Sequence, residues 1–301
     1  MKLIKFKYVS FSTSLLLLLM FNFVDIKAQS DSVKHWTVTG ENSLLFNQTT
    51  FSNWSAGGIN SFGGNLGLNY DFNYKKDRWN WDNKLIIGYG LSKQESIGWR
   101  KNDDRFIFNS LLGWKQTEKW LATFFLNFQT QFAKGYDYSQ TNEPLISDLF
   151  APATLSFGPG FAYKASDNFK INLSPAASRI TFVLNDELSQ IGAFGVEPGK
   201  NIEYALGASL DLYYKKEVLK NVTVENMLKL YSNYLDKPKN VDIDYTLSVF
   251  MKVNDYISAS LGVQLVYDDD IRMPFEESGI TKYKPQLQVK QLFGAGITYK
   301  F

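Results

Sequence analysis

Six charged residues, Glu203, Asp211, Glu225, Lys229, Asp242 and Asp244, occupy the polar side of segments whose other side is largely apolar. Glu41, Asp71, Lys75, Asp82, Lys84, Lys215 and Lys290 repeat the pattern elsewhere. Charges on such a face must be hydrated or paired, because a lone desolvated ion is costly. If the face lines a water-filled lumen, these groups tune ion selectivity electrostatically. If the charges pair across a narrow lumen, they plug it.

Catalytic chemistry has little material, and no catalytic residue is expected. His35 is the only histidine. A Ser–His mechanism needs a serine within reach and a third orienting group, and Ser32 is near His35 only in sequence. Asp268, Asp269 and Asp270 form an acidic run that is a weak metal candidate, lacking the glycine and distal glutamate of an EF-hand loop. The plainer reading is an acidic strand end at the outer surface. Cysteine is absent, which removes thiolate metal sites and disulfides, and no cofactor is expected. Trp54, Gly57 and Gly58 are candidates for a loop constriction, since glycines permit tight backbone paths; an interface tryptophan beside a turn is the equal alternative.

The elements that carry these groups are strands. From Phe62 to Tyr74 the even positions are apolar or aromatic apart from Gly64, and the odd ones small or polar. The same two-faced alternation recurs at 203–215, 257–267 and 286–301. Several segments run about 12 residues, longer than the roughly 5–6 of soluble strands, and aromatics gather near both ends. That favours a barrel with a lipid-facing band and two aromatic girdles over a soluble sandwich. Tight turns are expected near residues 76–78, 117–119, 166–168, 217–220 and 254–255, and longer loops near 49–58, 98–104, 137–151, 186–200, 236–240 and 271–284. Short and long connections alternate, which predicts an all-β, antiparallel, up-and-down transmembrane barrel of about twelve strands, with both termini on the tight-turn side. Pro175 predicts a bulge, because the apolar parity changes across it, and Pro159 raises the same question.

Residues 1–28 read as a signal peptide: Lys2, Lys5 and Lys7, an apolar run from Leu15 to Phe21, then Ala28 before the cleavage point. The barrel domain is then 29–301. The full chain carries +2 and the leader +3, which leaves −1 on the mature chain and no basic excess for nucleic acid.

The chain ends in Tyr299-Lys300-Phe301, similar to the assembly signal of outer-membrane barrels. Distinctive blocks precede it: Phe51-Ser52-Asn53-Trp54-Ser55-Ala56-Gly57-Gly58, Asn102-Asp103-Asp104-Arg105, Thr130 to Tyr136, Gly192 to Val196 and Tyr267 to Ile271. Together they resemble the Bacteroidota family of outer-membrane barrels classed as a domain of unknown function, over nearly the whole mature chain. The resemblance implies an outer-membrane location and supplies no activity. The expected partners are outer-membrane lipid, the insertion machinery that would read Tyr299 and Phe301, and envelope proteins, with no nucleic acid. The expected function is a narrow channel or transporter for small polar or ionic solutes. A closed barrel acting as a structural or assembly partner is the alternative, and a barrel lipase or acyltransferase comes third.

Overall fold

The computed structural model describes residues 35–49, 61–94, 97–138, 141–277 and 280–301, all within the unit His35–Phe301. The leader and Trp54, Gly57 and Gly58 lie outside the described residues.

Twelve antiparallel strands close into a barrel: β1 (Trp36–Thr49), β2 (Ser61–Lys76), β3 (Trp79–Gln94), β4 (Gly98–Lys115), β5 (Trp120–Thr130), β8 (Ala153–Ser166), β9 (Phe169–Phe182), β10 (Ile202–Leu219), β11 (Val222–Asn233), β12 (Asp242–Lys252), β13 (Ile257–Tyr267) and β16 (Gln288–Lys300). Two loop hairpins, β6 (Gly135–Tyr136) with β7 (Leu145–Ser147) and β14 (Arg272–Glu277) with β15 (Ile280–Pro285), complete the strands. Each barrel strand pairs with its chain neighbours in the wall, and β1 also pairs with β16, so no edge is left unpaired. The strands run from 11 to 18 residues, long enough at about 3.3 Å per residue to cross a tilted apolar band of about 25 Å. Among the described residues no helix is long and apolar enough to cross a membrane.

The wall is apolar outside and polar inside, the reverse of a soluble sandwich. Phe46, Leu66, Phe124, Phe161 and Phe293 are exposed on the outer face, whereas Asn65, Asp82, Lys84 and Glu225 are buried within. Aromatic rings gather at the tight-turn rim: Trp36 meets Tyr74 and Trp81, Trp79 meets Trp114, and Trp120, Tyr163, Phe169 and Tyr214 follow in contact. At the loop end Phe46 stacks on Phe62, and Phe106 touches Phe128 and Phe132. These are the two girdles that amphipathic rings form at membrane interfaces. Asparagines on the outer wall are satisfied by aromatic neighbours. The Tyr70 hydroxyl donates to Asn42 at 2.5 Å and that of Tyr245 to Asn226 at 2.7 Å. No water is needed to satisfy those side-chain oxygens.

The expected bulge is present in β9. Gly207 faces Ala177 while Ser209 faces Ser174, so Pro175 and Ala176 together oppose Ala208. The lumen phase changes from even (Asn172, Ser174) to odd (Ala177) across it. Pro159 keeps β8 in register with β5, and the irregularity beside it belongs to β9. Its flanking glycines make room for that bulge: a Cβ at Gly160 would lie 2.5 Å from the Leu173 carbonyl oxygen, and one at Gly158 would overlap that of Ala176.

All five tight turns fall where expected, and both ends of the barrel chain lie beside them, with the His35 carbonyl accepting from the Lys75 amide. One expected loop is corrected. Residues 98–104 are strand, because β3 and β4 continue pairing from Lys93 with Trp99 up to Gln94 with Gly98. Asp103 and Asp104, within that expected loop, therefore sit in the wall, with Asp103 buried. On the loop side, α1 (Asp186–Gln190), capped by the Asn185 side chain, brings Leu188 onto Ala151, Val183 and Val196 in a small apolar cap.

Candidate functional site: the charged lumen

Inward charges from opposite walls meet across the barrel. Lys84 on β3 and Glu225 on β11 stand six strands apart in a ring of twelve, diametrically opposed, yet Nζ lies 3.3 Å from Oε1. Lys84 also reaches Asp71 at 3.4 Å. Glu225, only 2% exposed, further approaches Lys215 at 3.6 Å and accepts from the Tyr213 hydroxyl at 3.2 Å. A buried carboxylate at that depth persists only with such compensation, since removing it from water costs several kcal/mol before pairing.

Other bridges lie above and below this one. Toward the tight turns, Lys164 and Lys170 converge on Asp82 at 2.7 and 3.1 Å, while Lys75 and Lys164 hold Asp167 at 2.8 and 3.1 Å. Partial burial of Asp167 opposes its ionisation, but the hydrogen bonds from Lys75 and Lys164 and their charges outweigh this and lower its pKa. In the middle, Lys229 donates to Asn109 at 2.9 Å, and Asn127 donates to Asp211 at 3.4 Å. Toward the loops, Arg179 pairs with Asp242 at 2.5 Å and lies 3.6 Å from the Tyr231 ring centroid. Lys290 pairs with Asp103, which also faces Arg105 at 3.7 Å.

Cavities lie among these bridges. One, about 310 Å³, occupies the tight-turn half between Asp71, Lys84, Asn172 and Lys215. A second, about 170 Å³, lies toward the loops under Phe194 and Asp268, and Asn127 and Lys229 line both. A third, about 110 Å³, lies along β1, β2, β12, β13 and β16.

Of the six charges singled out in the sequence, five face these cavities: Asp211, Glu225, Lys229, Asp242 and Asp244. Glu203, at the start of β10, stands near the loop-side mouth with Glu197, Asp236 and Asp270 around it. The acidic triplet does not converge: Asp269 is taken by Lys237 and Asn240 at 3.0 and 2.8 Å, while Asp268 accepts from the Asp270 amide. Among the described residues no group of three or more potential ligands is arranged for a metal. Burial pushes the Asp268 pKa up to about 6, helped by the nearby Asp242. His35 touches the Tyr74 ring edge-on at 5.8 Å. Tyr299 and Phe301 lie on the outer face at the closing seam, where Phe301 exchanges backbone hydrogen bonds with Gly40 and its ring meets Tyr70 at 5.6 Å. A Cβ on Gly40 would overlap the Phe301 ring.

Sequence reasoning did not single out Lys164, Lys170, Arg179 or the lumen asparagines. Lys164 and Lys170 alternate with Tyr163 and Phe169 and were open to the parity rule; Arg179 becomes inward only after the β9 bulge resets the phase.

Residues 46–136 match the family model described as a protein of unknown function (DUF3078). No curated protein matches the chain. Among solved structures the chain is similar to the NanC porin, at 7% identity and a TM-score of 0.36 over 87% of this chain and 99% of that one. It is also similar to the COG4313 outer membrane channel from Pseudomonas putida F1, at 9% identity and a TM-score of 0.37 over 88% and 94%. The toluene transporter TodX of P. putida is similar at 11% identity and a TM-score of 0.27 over 88% and 89%. The barrel assignment itself stands on the closed hydrogen-bonded strand order.

Proposed function

We infer that this chain is a bacterial outer-membrane barrel, exported by a leader at 1–28 and inserted through recognition of Tyr299 and Phe301, and that it is a narrow channel for small polar or ionic solutes. The resemblance to Bacteroidota barrels fits this reading. The observation that carries it is the lumen: a closed twelve-strand wall with an apolar exterior encloses charged cavities that share the side chains of Asn127 and Lys229. Solutes would pass by exchanging the transverse ion pairs for their own polar contacts, with Asp211, Glu225, Lys229, Asp242 and Asp244 along the path and Glu203 at its loop-side entrance. Conductance of the purified barrel in a planar lipid bilayer tests the reading; a silent bilayer with insertion shown independently would overturn it.

The Lys84–Glu225 bridge, which spans the lumen's full width, favours a second reading: a permanently closed barrel that acts through its loops as an assembly partner. Recovery of one stoichiometric envelope protein with the barrel would support it, and a solitary, conducting barrel would dismiss it.

A further inference from the structure

We propose that the cavity of about 310 Å³ in the tight-turn half is a binding site for an uncharged, hydroxyl-rich solute the size of a mono- or disaccharide. This deepens the channel reading and rests on it.

The charges of the wall cancel. Four aspartates, Asp71, Asp82, Asp167 and Asp211, face the space, and so do four lysines, Lys84, Lys170, Lys215 and Lys229. Most are already committed: Asp82 to Lys170, Asp71 to Lys84, Asp167 to Lys75, Lys215 to Glu225. Asp211 and Lys229, held by Asn127 and Asn109 instead, carry opposite signs, so an ion of either sign meets attraction and repulsion in equal number and at most positions must displace an existing partner.

Neutral polar groups are what the wall has to offer. Asn73, Asn109, Asn127 and Asn172 face inward, with the hydroxyls of Thr37 and Thr39. Asn172 is only 3% exposed. Its Oδ1 accepts from the Thr123 hydroxyl at 2.6 Å, and its Nδ2 has no partner. A buried amide N–H left unpaired costs about 1–3 kcal/mol, and a small turn of the Asn172 amide toward the cavity would let it donate to a solute hydroxyl oxygen. The inward side chains of Leu111, Phe125 and Met227 add an apolar surface. Amide and hydroxyl groups beside an apolar floor suit a ring with C–H faces and a hydroxyl edge, with few polar groups fixing its orientation.

The test is isothermal titration of the folded, heat-modifiable barrel in detergent with glucose, sucrose, glucuronate and glucosamine. Saturable binding of a neutral sugar in the millimolar range is expected, at least about tenfold tighter than either charged one, a difference of about 1.4 kcal/mol. Asn172→Leu should weaken it about tenfold or more; Asn109→Ala is the second variant should the first not fold. The proposal falls if neither neutral sugar binds, if a charged sugar binds as tightly, or if a folded variant binds unchanged. Swelling of barrel-containing liposomes in sucrose reads the channel separately. Binding without influx upholds the site and removes the channel; influx without saturable binding does the reverse.

Discussion

Lys84 and Glu225 are separated by 141 positions in the chain and brought to 3.3 Å only by closure of the barrel. Truncating one partner leaves the other buried. Lys84→Met should therefore cost about 3–5 kcal/mol in urea unfolding from lipid vesicles, and the double variant Lys84→Met with Glu225→Met less than that single change. A loss in the double variant equal to the sum of the losses in Lys84→Met and Glu225→Met alone would mean the pair is not coupled. Asp268, on the loop side, makes a pH prediction. Its folded pKa of about 6 stands above its unfolded value near 4. The protonated form is the one the fold favours, so this contribution is full below about pH 4 and is lost as pH rises through about 6. Hydrogen exchange in the loop-side cap should be slower at pH 4.5 than at pH 7.5 (after correction for the intrinsic rate), and Asp268→Asn should flatten that difference.

At the scale of strands and turns, much of the fold is legible in the sequence. Alternation placed Phe62 to Tyr74 as a two-faced strand because a pleat puts neighbours on opposite faces. The parity change from Ile171 and Leu173 to Ile180 and Phe182 located the bulge at Pro175. Where both faces are polar the rule has no input: Gly98 to Arg105 carries Trp99 as its only large apolar residue, so a strand was read as a loop. Nor does parity give partners. It places Lys84 and Glu225 inside, but the pairing depends on twelve accumulated registers. The role of Gly160 was equally hidden, since its need for space arises from the neighbouring strand. Gly160→Val should cut the yield of heat-modifiable barrel several-fold, as should Gly40→Val at the seam where Phe301 packs. Folding yields equal to the parent would show that the bulge and the seam tolerate a side chain.

For the whole molecule, the lumen divides by charge along its length: balanced in the tight-turn half, more acidic near Asp242, Asp244 and Asp268. Replacing Asp242 and Asp244 by asparagine would release Arg179 from its ion pair and remove two negative charges. Reversal potentials should then move toward anion selectivity, and unchanged potentials would exclude these residues from the conduction path. The proposed channel needs a lumen that water can enter, and the bridge from Lys84 to Glu225 stands across it. The most direct test is single-channel recording in a planar bilayer of the parent barrel beside Lys84→Ala. Small discrete steps from the parent, and larger ones once the bridge across the lumen is removed, are the predicted result. Silence from both, with insertion verified by protease protection, would contradict the channel.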